Sequence, residues 1–165
     1  SKGAVYFDGV ADYINLPSSF YDTSIDGEFT YMAWFKPSDL SAAVYPSGGG
    51  SLHFFRIDST SAVSFRLEGT DNAFTGLDTI NANAWTHIAI TRNSADLMTV
   101  YINGAAQTDT ETCADKHLAM RWIGTHTGSS NFYKGWIDEF MIYSKALTSA
   151  EVSKNYKYSA SKHTN

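Results

Sequence analysis

At 165 residues the chain suits one domain with a single sizeable core, and 43% of its residues are hydrophobic. Its formal charge of −5 comes without any basic run, which argues against a binder of phosphate backbones, and its apolar runs are far too short to insert in a membrane. Cys113 is the only cysteine, so no intrachain disulfide forms, and it reads as a small buried hydrophobe rather than a reactive thiol.

In chain order, strands are predicted over 4–7 and 12–16, turned by Asp8-Gly9 and closed by Pro17-Ser18-Ser19. Residues 28–36 alternate, with Phe29, Tyr31, Ala33 and Phe35 on one face and Thr30, Met32, Trp34 and Lys36 on the other. Bulk on both faces suits an inner strand of a two-layer sandwich. Residues 38–50 read as a loop with Gly48-Gly49-Gly50 as its flexible tip, and 51–58 with 62–68 as a hairpin around Ser59-Thr60-Ser61. Thr70-Asp71-Asn72 reads as a turn. The β-branched run 85–92 turns back into 97–102, where Asn103-Gly104 is the strongest hairpin signal in the chain. A polar loop over 108–116, a strand over 117–124 and a Gly/Ser/Thr loop over 125–131 follow. The strand 135–143 then precedes Thr148-Ser149-Ala150-Glu151, which has capping-box spacing, and a helix over 149–157. Many short strands separated by Gly, Asn and Asp turns predict an antiparallel sandwich or barrel.

Six stretches carry a family resemblance in order. They are Tyr6-Phe7-Asp8-Gly9-Val10-Ala11-Asp12-Tyr13-Ile14, Phe29 to Pro37, Trp85-Thr86-His87-Ile88-Ala89, Val100-Tyr101-Ile102-Asn103-Gly104, Ile123-Gly124 with Gly135-Trp136-Ile137-Asp138-Glu139, and Ala146 to Glu151. Together they resemble a concanavalin A-like, laminin-G/pentraxin-type domain. The resemblance implies an all-β fold: an antiparallel two-sheet jelly-roll sandwich with one short C-terminal helix, over 1–158, with a polar tail over 159–165. Members mostly bind glycans, proteins or cell surfaces, frequently with calcium. The expectation is a non-catalytic adhesion module whose partner is a glycan or protein surface ligand outside the cytoplasm. Residues 151–163 also resemble the ends of such domains in structural proteins of tailed bacteriophages. That implies an alternative, a virion-surface module whose partners are other virion proteins.

Retaining glycosidases of this fold carry an E-x-D-x-E strand, and hydrolysis needs two carboxyl groups flanking one bond. Glu28, Glu68, Glu111, Glu139 and Glu151 lack that spacing, and Asp138 and Glu139, as strand neighbours, are expected on opposite faces. No Gly-x-Ser-x-Gly elbow accompanies the five histidines. The resemblance points to a structural calcium at Asp138, with Asp8, Gly9 and Asp12 as neighbours; the competing reading is that these aspartates cap local backbone and turns. Trp34 and Trp85 are expected in the core. The ligand-binding candidates lie on loops: Tyr45, His53, Asp71, Asn72, Phe74, His126, Asn131, Phe132 and Tyr133.

Overall fold

The computed structural model describes residues 3–17 and 25–164, and the Ser18-Ser19 end of the first predicted turn lies outside them. One six-stranded antiparallel sheet has the order β1 (Val5–Asp8), β14 (Lys134–Tyr143), β4 (Phe29–Pro37), β9 (Thr86–Arg92), β10 (Leu97–Ile102) and β11 (Ala105–Thr112). A second six-stranded sheet has the order β2 (Ile14–Asn15), β13 (Trp122–Ile123), β5 (Val44–Gly48), β6 (Phe54–Ile57), β7 (Val63–Leu67) and β8 (Thr70–Phe74). A small separate pair joins β3 (Ile25–Asp26) to β12 (His117–Leu118). The chain is thus the two-layer jelly-roll sandwich expected from its sequence.

Period-2 alternation explains the core. Phe29, Tyr31, Ala33 and Phe35 of β4 face Phe55, Ile57, Val63, Phe65 and Leu67 of the second sheet, all in one buried cluster. Tyr31 sits at its centre, 5.2 Å from each of the Phe55, Phe65 and Phe140 rings. Its hydroxyl meets Ser47 Oγ at 2.9 Å, which satisfies the one polar atom such a ring brings inside. Burial drives the Tyr31 phenol well above its ordinary range.

Several elements differ from expectation. Residues 44–48, read as loop, form a central strand of the second sheet. Pro46 is tolerated because the register between β5 and β6 slips between Val44 and Ser47, so no ladder N–H is needed there. The neighbouring glycines are not a flexible tip. A Cβ on Gly48 would lie 2.1 Å from the His126 carbonyl oxygen, and one on Gly49 the same distance from that of Ala119. The turn expected at 70–72 falls instead at Glu68 and Gly69, both with positive φ, and 70–74 is strand. The polar loop at 108–116 is largely β11, a charged and Thr-rich strand at a sheet edge, where such residues discourage further pairing.

β14 carries a bulge, its pairing with β4 jumping from Asp138↔Trp34 to Met141↔Met32. Glu139 is the inserted residue, in a left-handed conformation (φ 49°). The bulge overturns the expectation that Asp138 and Glu139 oppose each other. Both carboxylates reach the C-terminal residues: Asp138 Oδ2 lies 2.9 Å from His163 Nε2, and Lys162 Nζ donates to Glu139 Oε1 at 3.2 Å.

The helix α1 (Ser149–Ser159) begins with the expected capping box between Thr148 and Glu151, and runs into a 3-10 turn over Ala160–Lys162. It covers the outer face of the first sheet. Val152 and Leu147 bury against Met32, Ala89 and Tyr101. Trp34 and Trp85 belong to this outer layer rather than to the space between the sheets. The Trp34 ring lies parallel to that of His163, centroids 4.2 Å apart, and its Nε1 donates to Ser159 Oγ at 2.9 Å. Trp85 meets His163 edge-on at 4.8 Å. Residues 159–163, read as polar tail, are therefore docked.

Candidate functional site

The outward residues of β6 and β7 build the most distinctive surface of the second sheet. Phe55, Ile57, Val63 and Phe65 point inward, so Phe54, Arg56, Ser64 and Arg66 point out, and the register pairs Phe54 with Arg66 and Arg56 with Ser64. Phe54 nevertheless keeps only 3% exposure, because other side chains roof it. The Arg66 and Arg56 guanidinium carbons lie 5.1 and 5.6 Å from its ring centre.

Two further rings join it, Tyr45 from β5 and His126 from the loop after β13. Tyr45 and His126 stack on each other at 4.8 Å and 12°, and each stands nearly perpendicular to Phe54, at 82° and 88°. They rise from the sheet as a short aromatic wall. His126 is delivered by the contact of its backbone with Gly48, and the loop is closed by Tyr133 N–H donating to the Gly124 carbonyl at 2.9 Å. Asn131 Nδ2 sits 3.2 Å from His126 Nδ1; with the amide donating, the other ring nitrogen carries the hydrogen. Burial, aided by Arg66 and opposed by the Gly50 backbone, lowers the His126 pKa, which favours the neutral ring.

Acidic partners hold the guanidiniums in place. Arg66 makes a two-pronged pair with Asp71 at 2.5 and 3.1 Å and donates to the Ser51 carbonyl at 3.0 Å. Arg56 Nη2 meets Asp58 at 3.2 Å and Ser64 Oγ at 3.1 Å. At this exposure such pairs contribute little stability, so their value lies in orientation. Arg56 Nε and His126 Nε2 are both buried without a hydrogen-bond partner among the described residues, an uncommon state for buried polar atoms. The result is a ring wall beside fixed donors and acceptors that alternate in charge.

Of the residues expected from sequence, Tyr45, Asp71, His126 and Asn131 come together here. The others do not. Asn72 is buried at 2% exposure, donating to the Phe65 carbonyl and to Cys113 Sγ, and Phe74 is in the core; both face inward on β8, a strand that was read as a turn. Tyr133 is fully buried against Phe7, since its chain enters β14 on the inner side. Phe132 packs its ring on Tyr13 at 6.4 Å and not on the Tyr45–His126 pair. His53 is buried beside His117, which pairs with Glu68. Burial, reinforced by His117 and opposed by Glu68, pushes His53 down to about 4. Phe54, Arg56 and Arg66 escaped the sequence reading, which looked for ligand groups on loops; the alternation of the 51–58 and 62–68 hairpin carries their signal.

The calcium set does not fit one ion. Asp8 pairs in register with Lys134, four residues along β14 from Asp138, or about 13 Å at strand rise. Asp138 is engaged by His163 and by the Glu139 N–H, while Asp8 accepts from the Val10 N–H and Asp12 from the Asp8 N–H. These aspartates act as caps of backbone and turn. A Ser/His/Asp relay does not form at the C-terminus either. Both His163 ring nitrogens are occupied, by the Ser159 carbonyl and Asp138, and the Ser159 hydroxyl donates to the Asn155 carbonyl. No helix among the described residues is long and apolar enough to cross a membrane.

A sequence profile of the concanavalin A-like lectin/glucanases superfamily, of laminin-G type, matches residues 8–153. A comparison with curated proteins yields no match. Among solved structures, the native heptameric SAP-like pentraxin of Limulus polyphemus is similar with TM-score 0.70 at 16% identity, over 91% of this chain and 79% of that one. Domain 4 of AbnA, a GH43 extracellular arabinanase of Geobacillus stearothermophilus in complex with arabinotriose, gives 0.70 at 22%, over 92% and 75%. The CBM40 of the Ruminococcus gnavus IT-sialidase, bound to α2,3-sialyllactose, gives 0.70 at 12%, over 93% and 97%. For several other neighbours the chain spans less than half of the neighbour's length. At these identities the likeness establishes the fold.

Proposed function

This chain belongs to the concanavalin A-like lectin/glucanases superfamily, and from that premise we propose that it is a non-catalytic glycan-binding module acting outside the cytoplasm. Its binding face is the outer surface of the second sheet. The observation that carries the reading is the Tyr45–His126 wall standing on Phe54 beside two guanidiniums locked by aspartates. A sugar ring packs its C–H face on the wall, while Arg56, Arg66, Asp71 and Asn131 address its hydroxyls. Each arginine is already neutralised by an aspartate, so the face suits neutral saccharides. Solved relatives bound to arabinotriose and sialyllactose support a saccharide as the ligand class.

The virion reading draws on residues 151–163. That reading rests on sequence resemblance alone, since Ser159 and His163 are buried against β4 and β14 while Lys162 stays exposed, and the glycan reading is preferred because a built surface supports it.

A glycan array tests the proposal. Wild-type protein is expected to capture neutral oligosaccharides, with at least a tenfold loss in Tyr45→Ala and in Arg66→Ala and no loss in Phe132→Ala. Capture unchanged in Tyr45→Ala would remove the face from consideration.

A further inference from the structure

The opposite side of the sandwich carries a second aromatic surface that α1 leaves uncovered. On the outer face of the first sheet, register places Tyr6 of β1 beside Trp136 of β14, and Trp136 beside Lys36 of β4. The Tyr6 and Trp136 rings meet at 4.9 Å and 52°, forming a shallow V, and keep 43% and 40% exposure. Trp136 is the most exposed of the four tryptophans. A groove of about 250 Å³ opens next to it, lined by Trp136, Trp85, Lys36 and Ala4.

Lys36 is the informative residue. Among the described residues it pairs with no carboxylate, whereas both arginines of the other face are neutralised. An unpaired ammonium in a groove between two indoles calls for a ligand with one flat apolar face and one anionic group. A sugar ring bearing a carboxylate has both: its C–H face lies on Trp136, and the carboxylate reaches Lys36 across the groove. A peptide carboxylate lacks the flat ring, and a neutral sugar leaves the lysine without a role.

We propose that the Tyr6/Trp136/Lys36 groove is a second saccharide site, selective for acidic sugars of the uronate or sialate class. It lies on the other side of the sandwich from the neutral-sugar face and does not depend on it. The module then has two sites of different charge preference, able to engage two glycan chains at once.

The test uses an array displaying sialylated and uronate-bearing glycans beside their neutral counterparts. Wild type and Tyr45→Ala are expected to capture the acidic glycans equally, with capture falling as salt rises. Trp136→Ala and Lys36→Ala should each lose at least tenfold on acidic glycans, while Trp136→Phe retains them. Lys36→Ala removes a half-buried side chain and its charge but leaves both rings in place, so it tests the site even where Trp136→Ala perturbs the fold. Failure of wild type to capture any acidic glycan, or equal capture by Trp136→Ala or Lys36→Ala, overturns the inference. So does loss of acidic capture in Tyr45→Ala, which would assign that binding to the other face.

Discussion

His87 shows what burial does to a single side chain on the first sheet. It is 1% exposed beneath Trp34 and Tyr156, and its Nδ1 has no hydrogen-bond partner among the described residues. Burial, offset in part by Glu139 and reinforced by His163, pushes it from an ordinary 6.5 to about 4. The unfolded chain therefore takes up a proton between these values that the folded chain does not. Its contribution is present in full above about pH 6.5, and falls by roughly 3 kcal/mol as the pH drops through 4. His53, also lowered to about 4, adds a second contribution of the same sign. In His87→Phe the loss of stability between pH 6.5 and 4, followed by urea denaturation, should be visibly shallower than in wild type. An unchanged slope would show that the folded protein accommodates the His87 proton.

At the level of elements, the C-terminal segment is held less by its own helical preference than by what it covers. Thr30 Oγ1 accepts from the Leu147 N–H and donates to the Lys145 carbonyl, both at 2.8 Å, fixing the approach to α1. His163 then fastens the far end between Trp34, Trp85 and Asp138. Removing its ring in His163→Ala loses a stacked pair and leaves a buried carboxylate short of a partner. We expect a cost of about 2–4 kcal/mol by chemical denaturation; a change below about 0.5 kcal/mol would mean the segment is held elsewhere. This docking was not legible in residues 159–165, which are polar and lack periodicity, because its partner is an outward face of a strand far away in sequence. β4 and the 103–104 hairpin were legible, since alternation and turn chemistry are local signals. β5 and β8 were not. Their signals were masked by Pro46 and by a Glu-Gly turn whose left-handed residues only the fold reveals. The same limit governs the site. Tyr45 and His126 stood out as loop residues, but their meeting over Phe54 required the close approach that Gly48 permits.

The molecule as a whole separates stability from recognition. Its aromatic mass lies between two sheets, and a second layer of aromatics fastens the C-terminal segment to one outer face. The other outer face carries two arginines, two aspartates and a pair of rings, held by strands and, for His126, by a loop that packs closely on Gly48. That arrangement suits reversible recognition of a small rigid ligand, with little ordering needed on binding. The direct measurement is an amide and side-chain NMR map of the full chain titrated with the strongest neutral oligosaccharide from the array. Shifts centred on Arg56, Arg66, Tyr45 and His126 are the predicted result. A glycan that binds while those four resonances stay still would contradict it.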